Sequence, residues 1–236
     1  MKVRIKFSKQ GPVKFIGHLD IMRYFQKAMR RADVDIKYSE GFSPHQIMSF
    51  AAPLGLGLTS NGEYMDIELK SDVDLEDLKN RLNQVMVEGI RILECKRLDD
   101  HAGNAMSMVA AADYTLRFRE GRRPENQQEF FEGLLTFVNQ EHIPFIKKTK
   151  KGEREVDLKS SIYQLAVDGD TIFMRVSAGS SENIKPELVM EAYYQSRGET
   201  LPELAFQIQR EEVYGNGGAG EELQLLPLGC IGEAVE

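Results

Sequence analysis

Two histidines, with Tyr38 and Ser39 between them, stand inside one short block, Phe15–Pro53, which reads FIGHLDIMRYFQKAMRRADVDIKYSEGFSPHQIMSFAAP. His18 and His45 carry the side chain that exchanges a proton near neutral pH. Tyr38 adds a phenol and Ser39 a hydroxyl, and a Tyr/Ser/His set can do acid–base work on a phosphodiester or hold its oxygens. His18, His45 and Tyr38 are the candidate catalytic groups. Gly41-Phe42-Ser43-Pro44-His45 reads as a turn, because glycine permits positive φ and proline stiffens the approach. Ser39, Gly41, Phe42 and Ser43 are therefore candidate ligand contacts. The competing reading makes the turn a rigid connector, with Phe42 and Phe50 plugging the core and His18 satisfying backbone groups.

A second pattern runs through the same block. Arg23, Lys27, Arg30 and Arg31 fall at i, i+4, i+7, i+8, one face of a helix, and could grip phosphates or an acidic protein surface. Asp20 suits the positive end of that helix. The alternative is a solvated outer face. Charge is uneven along the chain: residues 1–50 hold ten Lys and Arg against four Asp and Glu, a balance of +6, which leaves −13 of the total of −7 to the remainder. A basic N-terminal region on an acidic body points to a local anionic partner, not a general nucleic-acid coat.

Other chemistries find little support. Cys95 and Cys230 are far apart and neither belongs to a Cys-x-x-Cys pair, so no zinc ribbon or iron–sulfur site can be built from cysteine. His-Glu-x-x-His, Gly-x-Ser-x-Gly and a phosphate loop are missing. Asp66 and Glu68 share a strand face and could join His18 or His45 at a metal, but solvated strand carboxylates are commoner. No metal or cofactor is expected. Apolar runs stay well short of the roughly 18 residues a membrane span needs, and the start MKVRIKFSKQ reads as a strand and not a signal peptide; the expectation is a cytoplasmic protein without a membrane partner.

The elements that must position these groups repeat one order twice. Lys2–Ser8 alternates Val3, Ile5 and Phe7 as a strand; residues 18–33 place Ile21, Met22, Phe25, Ala28, Met29 and Ala32 on one helix face. Ile36–Ser39 reads as extended and Glu63–Lys70 as a strand. Asp74 caps a helix carrying Leu78 and Leu82, and Ile90–Leu98 is a strand. In the second half Tyr114–Arg119 is a strand, Pro124 opens a helix through Val138, and Ile143–Thr149 is extended, with a lysine-rich tip at Lys147, Lys148, Lys150 and Lys151. Ser161–Val167 and Thr171–Ser177 flank a hairpin at Asp-Gly-Asp, Pro186–Tyr194 is a helix and Leu204–Tyr214 a strand. The expected class is α+β, two tandem ferredoxin-like βαββαβ sandwiches with antiparallel sheets: residues 1–99 carrying the motifs, 109–214, and a flexible tail at 215–236.

The run KFIGHLDIMRYFQKAMRRADVDIKYSEGFSPHQIMSFAAPLGLG, with Glu63-Tyr64-Met65-Asp66 and Val156-Asp157-Leu158-Lys159, resembles a bacterial radical-SAM-linked family of unknown function over most of the chain. Its members stand alone or are fused behind a radical SAM protein. The resemblance implies a radical SAM partner and a setting near RNA-processing genes, and no established activity. The chain lacks the three-cysteine motif that would hold the radical SAM cluster. Gly17 stands where serine is expected before His-Leu-Asp. Lys159 stands where arginine is expected, which weakens bidentate anion binding there. Three readings follow: an accessory module presenting RNA or an RNA-bound substrate to the radical SAM enzyme; a metal-independent RNA- or nucleotide-processing enzyme using His45 and His18; or a docking subunit for acidic protein without RNA.

Overall fold

The computed structural model describes residues 1–149, 152–179, 182–218, 223–232 and 234. The chain forms a mixed α/β fold of two compact units, Met1–Ala110 with Arg210–Glu236, and Ala111–Gln209. In chain order the elements are β1 (Lys2–Lys9), α1 (His18–Arg31), β2 (Met48–Phe50), β3 (Thr59–Glu68), α2 (Leu75–Val85), β4 (Ile90–Leu98), α3 (Ala105–Met108), β5 (Val109–Phe118), α4 (Gln127–Val138), β6 (Pro144–Thr149), β7 (Gly152–Asp157), β8 (Ile162–Asp168), β9 (Thr171–Ser177), α5 (Pro186–Ser196), β10 (Phe206–Asn216) and β11 (Leu225–Pro227).

In the first unit the strands run β4-β1-β3, with β2 and β10 both pairing with β3. β1 lies antiparallel to both neighbours, Ile5 opposite Met65 and Cys95. Strand alternation sends Val3, Ile5 and Phe7 into the core with Met65 and Ile67, and α1 and α2 cover that face with Ile21, Phe25, Met29, Leu78 and Leu82. Those helical positions follow the 3.6-residue period, so the charged residues of α1 point outward. Burying a side chain such as Phe25 is worth about 1.5–3 kcal/mol. Asp74 caps α2 by accepting from the Asp77 amide at 2.7 Å, whereas Gly17 offers α1 no side-chain cap.

The second unit has the order β10-β5-β9-β8, with α4 and α5 as its longer helices and β6–β7 as a separate hairpin. Lys150 and Lys151 of the lysine-rich tip lie outside the described residues.

The ends differ from the sequence expectation. Among the described residues of the tail, 223–232 pack onto the first unit. β11 pairs with β10, Leu228 is fully buried, and the buried Arg4 guanidinium donates to the Leu228 and Ile231 carbonyls at 2.8 and 2.9 Å. A buried guanidinium needs acceptors, and this segment supplies two of them. The Asp66 carboxylate supplies the rest, taking Nε at 2.8 Å and Nη2 at 2.9 Å. Ile36–Ser39 makes only isolated bridges, Ile36 to Leu69 and Tyr38 to Gln46, because the turn that follows carries the chain away. Among the described residues no helix is long and apolar enough to cross a membrane.

Candidate functional site

The turn after α1 is held by its own side chains. The Ser39 amide donates to the His45 carbonyl at 2.8 Å, and the His45 amide donates back to Ser39 Oγ at 3.1 Å. Ser39 Oγ also lies 2.9 Å from His45 Nδ1, and the Ser43 carbonyl lies 3.5 Å from the same nitrogen. Gly41 sits at φ +107°, a conformation that side-chain-bearing residues rarely adopt, with open space where a Cβ would be. This closed turn leaves Phe42 fully exposed at its tip, and Phe50, not Phe42, fills the core. An aromatic ring held in water on a closed turn is a stacking surface.

Gln46 fastens the turn to α1. Its buried amide donates to the Gln26 carbonyl at 3.2 Å and to the Tyr38 hydroxyl at 3.4 Å. Those donations from Gln46, together with the Arg30 guanidinium, hold the Tyr38 phenol below its ordinary pKa. Tyr38 thus meets Gln46 and Arg30, while Ser39 and His45, the next pair along the same antiparallel bridge, meet each other on the opposite face.

The four cations of the α1 stripe are all exposed and differ in their freedom. Arg23 pairs with Asp20 at 3.2 Å on an open surface, a contact worth about 0.2–1 kcal/mol that a phosphate can displace. Lys27 has no side-chain partner among the described residues. Arg30 faces Tyr38. Arg31 donates to the Val85 carbonyl at 3.2 Å and lies 5.5 Å over the Tyr24 ring, so it ties α1 to the end of α2.

Beside His45 opens a cavity of about 420 Å³, lined by Ile47, Met48 and Leu98 on its apolar walls and by Lys2, Ser49, Glu68 and Asn104 among its polar groups. Its size falls in the range of small-molecule sites.

His18 does not join this cluster. It opens α1, half-buried, with its ring edge-on to Phe50 at 5.4 Å. It lines a different cavity of about 20 Å³ with Phe7, Lys9, Leu54 and Glu63, room for a single water. Lys9 is buried and donates to the Ile16 carbonyl at 2.8 Å. Glu63 is buried against Arg210, 3.2 Å away, and Arg210 also donates to the Ala52 and Pro53 carbonyls. Burial pushes the Glu63 carboxyl up, against the pull of Arg210 and Ser60. Burial pushes Lys9 down, with Glu63 opposing. His18 is lowered by burial and then by Lys9. The sequence pattern singled out His18 but not Lys9, Glu63 or Arg210. Only the fold brings these groups together from three strands and a helix start.

In the second unit the Lys159 ammonium donates to the Val138 carbonyl at the end of α4, at 2.6 Å. This differs from the expected anion contact: the amine is held by a helix end. Asp157 accepts from His142 Nδ1 at 2.7 Å and from the amides of Ile143 and Lys159 at 2.8 and 3.0 Å. His142 and those amides bring the Asp157 carboxyl down to about 2. The Val-Asp-Leu-Lys segment thus holds its own neighbourhood together. Cys95, half-buried, has its thiol pushed up to about 12 by burial and is chemically quiet. Among the described residues no three His, Cys, Asp or Glu side chains are grouped to hold a metal ion.

A family model described as "Uncharacterized protein conserved in bacteria (DUF2344)" matches residues 2–186. The chain belongs to this family. The family's description carries no link to radical SAM proteins, so that part of the resemblance stands as a proposal. No curated protein matches the sequence. Among solved structures the chain is similar to one in "Crystal Structure of a Cbf5-Nop10-Gar1 Complex", at 9% identity and a TM-score of 0.46, covering 89% of this chain and 48% of that one. The chain spans about half the length of that relative.

Proposed function

We propose that the chain is an RNA-binding accessory module whose contact surface is the Gly41–His45 turn together with the outer face of α1. The observation that carries this reading is Phe42, fully exposed at the tip of a turn that Gln46 fastens to α1. Base stacking on an exposed aromatic is worth about 1–3 kcal/mol and tolerates any sequence. Arg23, Lys27 and Arg30 supply phosphate contacts along the neighbouring helix face, while Tyr38, Ser39 and His45 offer hydrogen bonds at the base of the turn. The +6 balance of residues 1–50 favours the encounter. In this reading the module presents RNA, or a substrate carried on RNA, to a radical SAM enzyme in the cytoplasm. Each unit is read as a ferredoxin-like sandwich. The order β4-β1-β3-β2 around α1 and α2 and the order β10-β5-β9-β8 around α4 and α5 support that.

Fluorescence anisotropy with a labelled single-stranded RNA tests the binding. The logarithm of affinity should fall linearly with the logarithm of salt, with a slope of about 0.7 per neutralised phosphate. Arg23→Glu with Lys27→Glu should flatten that slope. Binding that ignores salt, or none, contradicts the reading. Co-purification tests the partner: a tagged chain should bring down a radical SAM protein from its own lysate.

A second reading has its own observation. Ser39 Oγ and His45 Nδ1 stand 2.9 Å apart, a pair able to move a proton on a phosphodiester. His18 lines the other cavity and is no partner in that step. RNA cleavage without metal, lost in His45→Ala with folding kept, would favour this enzyme over the module. Docking to an acidic protein is the third outcome, marked by complex formation that charge reversal of α1 abolishes and RNA does not affect.

A further inference from the structure

We propose that the cavity beside His45 is a guanine-nucleotide site. The inference rests on the RNA reading only for the class of ligand, since no residue used here is Phe42 or part of α1. Its volume of about 420 Å³ has room for one nucleoside monophosphate. Ile47, Met48 and Leu98 give apolar walls against which a flat ring can lie.

The polar groups choose the ring. Asn104 Oδ1 accepts from Ser49 Oγ and from the Met106 amide, both at 2.9 Å, which fixes the orientation of the amide. Its Nδ2 group is left as a donor with no partner among the described residues. Glu68 Oε2 lies 3.2 Å from the exposed Lys37 ammonium, and Oε1 remains an acceptor. Asp66, at the floor, is already satisfied by Arg4 and by the Ala105 amide at 3.0 Å, so it adds no competing acceptor. A fixed amide donor and a carboxylate acceptor in one apolar slot complement a base that presents a carbonyl beside two N–H groups. Guanine presents O6 beside N1–H and N2–H₂; adenine and uracil offer no such pair of donors. The Lys2 ammonium, which donates one hydrogen bond to the Asp100 carbonyl, keeps its remaining N–H groups for the phosphate at the rim, and His45 lines the same rim beside the ribose.

Calorimetric titration of the full chain with GMP, AMP, CMP and UMP tests the site. GMP should bind on the order of tenfold or more tighter than the other three, the discrimination of a well-made base contact. Glu68→Gln should erase that preference. Asn104→Asp keeps the acceptor that caps α3 and holds Ser49, but replaces the donor; it should lose GMP binding while thermal unfolding is unchanged. Met48→Trp, which fills the slot, should also block binding. Absence of GMP binding, equal affinity for all four nucleotides, or GMP binding that survives Met48→Trp overturns the proposal. Phe42→Ala should leave GMP binding intact, which separates the two surfaces. RNA bound without GMP would remove this site alone, and GMP bound without RNA would remove the RNA reading alone.

Discussion

His18 and His45 come from one stretch of sequence and end in opposite surroundings. His18 opens a helix whose apolar face is drawn into the core, so its ring is carried against Phe50 and over the buried Lys9 and Glu63. His45 follows a glycine-led turn that closes on itself, so its ring stays at the surface with Ser39. The backbone position, not the residue type, decides which histidine meets water. Buried charges in the first cluster are engaged with one another and with backbone carbonyls. In the second, an aromatic ring and several donors are left open to solvent. The first cluster is closed on itself, and the second is the one the proposed RNA contact uses.

Changes in the two clusters should separate cleanly. Glu63→Leu leaves Arg210 and Lys9 buried without their carboxylate and should cost about 3–5 kcal/mol of stability by urea unfolding. RNA affinity of the remaining folded protein should be unchanged; a shift in affinity without loss of stability would reverse the assignment. Phe42→Ala should do the opposite, losing about 1–3 kcal/mol of RNA binding and leaving the urea midpoint in place.

The pH dependence sharpens the contrast at His18. Its folded pKa lies below the unfolded value near 6.5 because the charged ring is disfavoured by burial and by Lys9. The unfolded chain then binds more protons just below that value. Stability contributed by the neutral ring is complete above about pH 6.5 and declines as pH falls through the lowered folded pKa. His18→Leu should flatten that decline between pH 7 and 5, and an unchanged slope would place the titration elsewhere. Ser39→Ala should have the smallest effect. It removes an exposed hydroxyl that accepts the His45 amide and touches its ring, and should cost about 0.5–1.5 kcal/mol at most. The measurable result is a drop in the urea midpoint no larger than that, with a small loss of RNA affinity as the turn loosens.

Much of the local structure was legible because periodicity is a local property. Val3, Ile5 and Phe7 marked β1, the α1 apolar stripe gave the helix to within two residues, and Asp74 capped α2 as its position implies. Ile90–Leu98 and Thr171–Ser177 match β4 and β9 end for end. β2 escaped notice because three residues carry no period, and β11 because Leu225–Pro227 gains its order from β10. The tail looked free because glycine and polar residues dominate its start, while the pull on it comes from Arg4, more than two hundred positions away. For the candidate site, the turn chemistry of Gly41–His45 announced a presented histidine. The exposure of Phe42 and the meeting of Lys9, Glu63 and Arg210 depend on tertiary placement, which spacing does not encode.

The most direct test is the affinity of a single-stranded RNA for the wild type and for Phe42→Ala, measured by anisotropy across a salt series with unfolding curves taken on the same samples. The account predicts salt-dependent binding that Phe42→Ala weakens roughly tenfold, converting about 1.4 kcal/mol of stacking, with identical unfolding. RNA binding that is the same in both proteins, or absent from the folded wild type, would contradict it.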